Sequence, residues 1–220
     1  MNEGLHAELL DVMGSDLTVV NAARVSMAKH HTEFDAVSDT RLIKYLAREG
    51  HWAPFASPQV QFRIKAPIFV ARQWYKSTVG TCRSEVSRRY VDDVPMFFLP
   101  EVWRSRPEGN IKQGSGDPVA DETADKAYAS YDYAMMKCRE SYSSLLKLGV
   151  APEMARMVLP QAMVTEWIET GSLFFWARLC KLRLDPHAQQ ESQDLARQIA
   201  NHIAPLFPVS WAALMENHDG

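Results

Sequence analysis

The amino-acid sequence predicts an α+β fold, in which a helix-rich protomer surrounds a small central sheet that is antiparallel or mixed. Three observations lead to this prediction. Residues 59–66 alternate polar and apolar side chains, as a half-buried strand does. Residues 94–99 favour a second strand. Most other apolar side chains recur at steps of three and four residues, which is the spacing of amphipathic helices.

The first helices are predicted where a capping residue precedes such a repeat. Asp16 is expected to cap a helix that continues through residues 23–28. Ser38 or Asp39 is expected to cap a second helix, and Gly50 to end it.

The strand at 59–66 leads directly into another helix. Its even-numbered residues are apolar and its odd-numbered residues are polar, so one face is expected to be buried. Pro67 then fits the first turn of a helix over residues 68–74, because proline lacks only an N–H that would have no partner there.

The second half of the chain predicts mainly helices. Residues 104–120 are rich in glycine, proline and polar side chains and are expected to form an exposed loop. Residues 121–148 form a long helical repeat, for which we expect a scaffolding role in the core.

Three shorter helices are expected after it. Pro152 opens one that ends before Pro160, and Thr170 or Ser172 caps the next, which runs through residue 179. A further helix is expected from 185–186 to about residue 203.

Length and composition limit the classes of function. A chain of 220 residues with 46% hydrophobic and 23% charged residues is expected to fold as one domain, 1–220. Its net charge of −3 argues against binding a long stretch of nucleic acid. The sequence has neither an export signal nor a membrane-spanning segment, and its three cysteines lack the pattern of a zinc site. We therefore expect a cytoplasmic protein without a metal, a nucleic-acid partner or a membrane partner.

The densest polar cluster covers residues 72–90. Against one acid, Glu85, it holds five cations: Arg72, Lys76, Arg83, Arg88 and Arg89. Arginine donates paired hydrogen bonds to phosphate, and neighbouring serine and threonine hydroxyls add neutral donors. The cluster predicts a phosphate pocket, and an exposed basic loop is the alternative.

Other candidate residues give weaker signals. Asp185 and His187 follow Arg183 and suit either an acid–base pair or a helix cap with a surface residue. Arg156 lies in an apolar segment and fits either a ligand contact or a half-buried paired arginine. Cys82 lies among cations that could activate a thiolate, but no general base is evident beside it.

Several separate blocks of the sequence resemble the flavin-dependent thymidylate synthases. They occur in the order of that family over residues 10–202, at positions 11–26, 42–55, 62–74, 84–90, 155–160, 170–173 and 182–189. The resemblance implies a mixed helix-and-sheet protomer, a homotetramer with active sites between subunits, and FAD as the cofactor. It also implies NADPH and methylenetetrahydrofolate as co-substrates in the conversion of dUMP to dTMP.

The resemblance also implies roles for individual residues. The pyrimidine ring would be polarised by Arg183, the implied catalytic residue, because the family uses no active-site cysteine. Substrate contacts would come from Arg72, Gln73, Trp74, Tyr75, Lys76, Glu85, Val86, Ser87, Arg88, Arg89, Arg156 and Arg183. FAD contacts would come from Ala53, Lys76, Ser77, Thr78, Glu85, Ser172, Leu173, Phe174 and Arg178.

The sequence departs from the family on the flavin and folate side. Residues 76–78 are Lys-Ser-Thr where the family usually has Arg-His-Arg, and one extra residue separates them from Glu85. Ser84 replaces the usual Asn, and Phe174 an FAD-contacting Arg. Two alternatives therefore stay open: an enzyme that makes a 5-hydroxymethyl pyrimidine nucleotide or acts on dCMP, and a non-catalytic nucleotide- or RNA-binding relative that has lost FAD.

Overall fold

An antiparallel sheet lies at the centre of the molecule. The computed structural model describes residues 4–108 and 114–216. Within these residues the sheet has four strands in the order β1-β2-β4-β3. They are β1 His6–Met13, β2 Gln59–Pro67, β3 Thr81–Glu85 and β4 Val164–Ser172. The predicted α+β fold with a small antiparallel sheet is confirmed.

Helices surround this sheet. The α-helices of the described residues are α1 Asp16–Arg24, α2 Ser38–Arg48, α3 Ile68–Trp74, α4 Asp121–Lys147, α5 Pro152–Ala155, α6 Leu173–Leu184, α7 Gln190–Ile203 and α8 Pro208–Met215. Short 3-10 turns cover Val25–Met27, Ala53–Ala56 and Arg156–Val158. None of the helices in the described part is long and apolar enough to cross a membrane.

One face of the sheet packs against α6 and α7. Val60, Phe62 and Ile64 of β2 are fully buried, as the alternation predicts. The Phe62 ring meets the ring of Trp176 edge-on at a centroid distance of 5.1 Å, and Trp176 Nε1 donates to the Val60 carbonyl at 3.1 Å. Each such buried aromatic side chain contributes about 1.5–3 kcal/mol through the area that it removes from water. This packing fixes α6 relative to the strands.

Several predicted helix ends are confirmed. Ser172 caps α6, because its Oγ accepts from the Phe175 N–H at 3.1 Å. Gly50 follows α2 with φ +69°, a left-handed conformation that glycine adopts without steric cost. Pro67 lies immediately before α3 as its N-cap, so the direct passage from strand to helix is also confirmed.

Two predictions about strands are wrong. Residues 94–99 do not form a strand: Phe97 makes only an isolated bridge to Met163. Pro95 lies within the segment and Pro100 follows it directly, and proline has no N–H to donate to a ladder. Residues 164–172, where the prediction placed only a helix cap, form the interior strand β4, whose alternation is obscured by the buried Glu169.

Two predictions about helices are also wrong. The long helix α4 does not scaffold the core, since Tyr142 is its only buried side chain. The helix expected from 185–186 begins instead at Gln190, because the side chain of Asp185 accepts from the N–H of His187 at 2.7 Å and forms a turn. This turn follows directly after Arg183, in the last turn of α6.

Candidate active site

A cavity of about 760 Å³ opens beside the end of β3; we call it the β3 cavity. Its lining brings together segments that are far apart in the sequence. Residues 85–89 line it, as do Arg156 and Met157 from the 3-10 turn and Thr165 and Glu166 from β4. The structure thus places the second half of the basic cluster next to Arg156.

The cations of the β3 cavity differ in their partners. Arg88 donates to the Asp93 carboxylate at 2.6 Å and to its carbonyl at 2.7 Å, so its charge is compensated. Arg89 and Arg156 are exposed and make no ion pair among the described residues. Arg89 lies over the Tyr90 ring at 5.1 Å, and Arg156 Nε donates to the Glu153 carbonyl at 3.2 Å. Two guanidinium groups are therefore available for an anion.

Glu85, which lines the β3 cavity, lies next to Tyr75. Glu85 Oε1 accepts from the Thr165 hydroxyl at 2.6 Å. Burial raises the pKa of Tyr75 well above its usual value, and the negative charge of Glu85 raises it further. Tyr75 therefore stays a neutral phenol beside the Glu85 carboxylate.

A second cavity, of about 600 Å³, surrounds Arg183; we call it the Arg183 cavity. Gln73 and Lys76 line it together with Arg183, Asp185 and His187. Arg183 Nη2 donates to the Gln73 carbonyl, whereas its buried Nε has no partner among the described residues. Burial lowers the pKa of this guanidinium, although an arginine remains charged near neutral pH. An oriented cation with an unused donor thus borders a cavity.

Hydrogen bonds between helices hold Gln73 in place. Its Nε2 donates to Gln189 Oε1 at 2.6 Å, and its Oε1 accepts from the Ser192 hydroxyl at 3.4 Å. On the other side of the cavity, the pKa of Asp185 is lowered, mainly because its carboxylate accepts from the His187 N–H. His187 Nδ1 lies 3.0 Å from the same carboxylate.

A third cavity, of about 570 Å³, lies between residues 76–79 and α6; we call it the Arg178 cavity. Lys76, Ser77, Thr78 and Arg178 line it. Arg178 lies 5.7 Å from the Phe174 ring, which in turn meets the exposed Trp52 ring at 6.1 Å. Trp52 and Ala53 line a fourth cavity, of about 860 Å³.

The donor set around Phe174 fits a flavin dinucleotide. Cations and hydroxyls from residues 76–78 and Arg178 match the negative charge and acceptors of a diphosphate. The exposed ring of Trp52 and the half-buried ring of Phe174 suit stacking against a planar ring. These residues belong to sequence segments for which the resemblance implies FAD contacts.

Some of the implied site residues lie away from these cavities. Trp74 and Leu173 are fully buried in the core, and the Oγ of Ser172 is used to cap α6. Arg72 is exposed and lines none of the four cavities described above. The side chains of Trp74 and Leu173 thus face the interior of the protomer.

Tyr75 also lines none of the four cavities, and the remaining substrate residues divide into two groups. Residues 85–89 and Arg156 line the β3 cavity, whereas Gln73, Lys76 and Arg183 line the Arg183 cavity. The two cavities share no lining residue. One protomer therefore does not bring all the implied nucleotide contacts into a single cavity.

Arg83 differs from the other cations of the basic cluster. Its Nη2 lies 2.7 Å from Oε1 of Glu169, a fully buried carboxylate of β4. The composition of the cluster suggests that Arg83 is free to bind phosphate, but its charge is already paired with Glu169. Sequence reasoning missed Glu169 because its partner is distant in the chain. The available signal is an acid that directly follows the apolar pair Trp167 and Ile168.

The cysteines and the acids add no further chemistry. Cys82 is exposed and Cys138 half-buried, whereas Cys180 is fully buried, which raises the pKa of its thiol. No group of His, Cys, Asp and Glu in the described part of the chain could hold a metal ion.

Comparisons with known proteins agree with this arrangement. The family model described as "Thymidylate synthase complementing protein" matches residues 8–209. A flavin-dependent thymidylate synthase of Thermus thermophilus is 39% identical over 209 residues, which are 95% of this chain and 75% of that protein. A flavin-dependent thymidylate synthase of Thermosipho africanus is 35% identical over 208 residues, which are 94% of this chain and 90% of that protein.

A solved structure is similar over the same range. The UMP/dUMP methylase PolB of Streptomyces cacaoi, bound with 5-Br dUMP, superposes with a TM-score of 0.84 at 30% identity, covering 95% of this chain and 94% of that one. The family resemblance seen in the sequence is confirmed. The chain belongs to the Thy1 family, whose matched relatives are flavin-dependent thymidylate synthases.

Proposed function

We propose that the protein is a flavin-dependent thymidylate synthase. It methylates dUMP reductively at C5 to give dTMP, with FAD as cofactor and with methylenetetrahydrofolate and NADPH as co-substrates. The observation that carries this proposal is the β3 cavity, in which a chain of this family presents Arg89 and Arg156 without acidic partners among the described residues. The enzymatic relatives favour this proposal over a non-catalytic binding protein.

The β3 cavity would hold the nucleotide phosphate. Arg89 and Arg156 supply charge, and the Ser87 hydroxyl and nearby backbone N–H groups supply neutral donors. A hydrogen bond to a charged group contributes about 1.5–3 kcal/mol, so two guanidinium groups would favour a nucleotide over the neutral nucleoside by about 3–6 kcal/mol, a factor of roughly 10²–10⁴ in affinity.

Arg183 would act on the pyrimidine ring. C5 of uracil is a weak carbon nucleophile, and a cation beside the ring would favour the polarised, N3-ionised form of the ring, in which C5 is more nucleophilic. The Gln73 carbonyl orients the Arg183 guanidinium, and its buried Nε keeps an unused donor. No cysteine nucleophile is then required.

The residues around Phe174 would bind the cofactor. Lys76, Ser77, Thr78 and Arg178 would hold its diphosphate, and Trp52 and Phe174 would pack against a ring. When bound and reduced by NADPH, the flavin would supply the hydride that reduces the transferred one-carbon unit to a methyl group. The chain's own part is to exclude water and to orient the nucleotide.

We further propose that residues 1–220 act as one domain in a homotetramer. The separation of the β3 cavity from the Arg183 cavity supports this, because a complete site then needs residues from more than one subunit. Exposed apolar side chains on α4, such as those of Tyr128, Tyr133 and Met136, provide a surface for subunit contacts. Substrates of central nucleotide metabolism also favour the cytoplasm as the compartment.

A ribonucleotide substrate is the second candidate. PolB is a UMP/dUMP methylase, and its structure bound with 5-Br UMP superposes on 96% of this chain with a TM-score of 0.85. UMP and dUMP differ only in the 2′-hydroxyl, so the same phosphate and base contacts serve both.

The test combines a spectrum with product analysis. We expect the purified protein to show a flavin absorbance that NADPH bleaches, and to convert dUMP to dTMP when methylenetetrahydrofolate is added. Mass spectrometry of reactions with dUMP, UMP and dCMP identifies the substrate and separates a methyl from a hydroxymethyl product. A colourless protein that takes up no added FAD contradicts the proposal.

A further inference from the structure

A buried ion pair lies beside the residues proposed to bind FAD. Arg83 on β3 and Glu169 on β4 are directly opposite each other in the sheet, and their exposed side-chain fractions are 15% and 0%. Besides the 2.7 Å contact with Arg83, Glu169 accepts from Trp167 Nε1 at 2.9 Å and from the Thr81 hydroxyl at 2.9 Å. Both carboxylate oxygens are therefore used, and the position of Glu169 is fixed.

Stability alone does not account for this pair. The desolvation of two charges offsets most of their attraction, so an apolar pair of similar size is often as stable. Arg83 makes one contact that an apolar side chain cannot make: its Nη2 donates to the carbonyl of Ser77, in the segment that joins α3 to β3. The guanidinium also lies 5.2 Å from the Tyr75 ring and 5.9 Å from the Phe175 ring, which fixes its plane.

The Ser77 carbonyl determines where the next N–H points. The peptide bond between Ser77 and Thr78 is trans, so its C=O and N–H point in opposite directions. Because the carbonyl faces the buried Arg83, the Thr78 N–H points away from Arg83, and Thr78 is itself a lining residue of the Arg178 cavity. Among the described residues this N–H has no acceptor.

The segment is anchored at two further points. The Ser77 N–H donates to the Trp74 carbonyl at 3.1 Å, and the Gly80 carbonyl accepts from the Ser172 N–H at 2.9 Å. Gly80 has φ +86°, and a Cβ there would meet Ser172 Oγ at 3.1 Å, so the turn requires glycine. The Arg83 contact thus holds the middle of a segment whose two ends are already fixed.

We propose that Arg83 and Glu169 are positioning residues that orient the Thr78 N–H as a donor to the diphosphate of FAD, beside the charges of Lys76 and Arg178. This inference rests on the proposed function and adds to it two residues that orient a backbone donor for the cofactor. A backbone N–H that is oriented before binding, next to two cations, is an anion-binding arrangement. The pair acts on the cofactor only through the Ser77–Thr78 peptide.

The test compares two flavins in one variant. The double substitution Arg83→Met with Glu169→Gln removes both charges together and leaves the amide of Gln to serve Trp167 and Thr81. We expect the Kd for FAD, measured by flavin fluorescence titration, to rise about tenfold, because one oriented donor to a charged group is lost. The Kd for riboflavin, which has no diphosphate, should stay within about twofold of the wild-type value.

A matched control removes an ion pair that is not buried. Arg197 and Asp194 lie 2.5 Å apart on the exposed side of α7, and Arg197→Met with Asp194→Asn should leave both flavin affinities unchanged. Should the first double variant fail to fold, Arg83→Lys serves in its place. It keeps the charge but replaces the guanidinium fork with one ammonium, and we expect the same selective loss of FAD affinity.

The outcomes are separable. Wild-type protein that binds no FAD overturns the proposed function and this inference with it. Wild-type FAD binding together with an unchanged FAD affinity in the variant overturns the inference alone. Equal weakening of FAD and riboflavin also overturns it, since that result indicates a general loss of structure.

Discussion

Single residues of the basic cluster have different roles because their partners differ. Arg83 pairs with Glu169 and Arg88 with Asp93, whereas Arg89 makes no ion pair within the described residues. The sequence predicts a phosphate site from the number of cations. It cannot show which cation is neutralised, because Glu169 is 86 positions from Arg83 and meets it only through the pairing of β3 with β4.

Arg89 and Arg156 give the first prediction. Changing either residue to alanine should raise the KM for dUMP, or lower kcat/KM, by about tenfold or more, since a charge-assisted hydrogen bond contributes about 1.5–3 kcal/mol. Steady-state kinetics with varied dUMP measure this. Arg41→Ala, on the exposed side of α2, is the control for loss of one positive charge. Wild-type nucleotide kinetics in both variants would rule out the phosphate assignment.

Arg183 and Cys82 separate two ways of activating the pyrimidine. If ring polarisation carries the chemistry, Arg183→Ala should stop release of the C5 hydrogen from labelled dUMP, while NADPH still reduces the bound flavin. Cys82→Ser should remain active, because Cys82 is exposed and lines none of the four cavities. The reverse result, with a nucleotide adduct on Cys82, would show a thiol mechanism.

At the scale of elements, local signals predict the structure wherever side-chain pattern and environment agree. β2 alternates cleanly and passes through Pro67 into α3, and Ser172 caps α6, so these parts could be predicted. β4 could not be predicted from its pattern, because a strand between β2 and β3 can bury Glu169 against Arg83. The apolar repeat of α4 predicts a helix correctly. It does not show that most of the apolar side chains of this helix lie outside the core of the protomer.

The site follows the same division. The resemblance implies residues that line the β3 cavity and the Arg183 cavity, and the structure divides these residues between the two. The resemblance could not supply their distribution over separate cavities, since that depends on tertiary contacts. Nor could it supply Arg83 and Trp52, which acquire their positions from β4 and from Phe174.

The start of α2 gives a prediction about pH. The Asp35 carboxylate accepts from the Ser38 N–H at 2.6 Å and from the Val37 N–H at 3.1 Å, and the first of these lowers its pKa. A carboxyl whose pKa is lowered in the folded state stabilises that state above its unfolded pKa of about 3.9, and loses this effect as pH falls through the folded value.

Asp35→Asn should therefore unfold at lower denaturant concentration than the wild type at pH 7, and the gap should narrow as pH falls from about 5 to 3. Urea midpoints at several pH values measure this. Glu33→Gln, an exposed acid in the same loop, is the control. A gap that stays constant over this range would show that the charge of Asp35 is not responsible.

At the scale of the whole molecule, the separation of the two cavities predicts shared active sites. Light scattering should give a mass four times that of the 24.9 kDa chain. Arg156→Ala, which is impaired in dUMP binding, and Arg183→Ala, which does not release the C5 hydrogen, should together exceed the sum of their separate activities when the two are dissociated, mixed and reassembled. The gain arises because some sites then combine an intact β3 cavity with an intact Arg183. A fully active monomer would contradict this.

The buried Asp16 near the start of the chain ties the first helix to the last. Its two carboxylate oxygens accept from the N–H groups of Val209 and Ser210 at 2.9 Å each, and so cap α8 from a distance of more than 190 residues. During synthesis, a ribosome must therefore release residues through Ser210 before α1 can complete its contacts. Chains released at Phe207 should be digested by a protease much faster than chains released at Glu216. Until α8 emerges, the carboxylate of Asp16 lacks the two N–H groups that it accepts from in the folded protein.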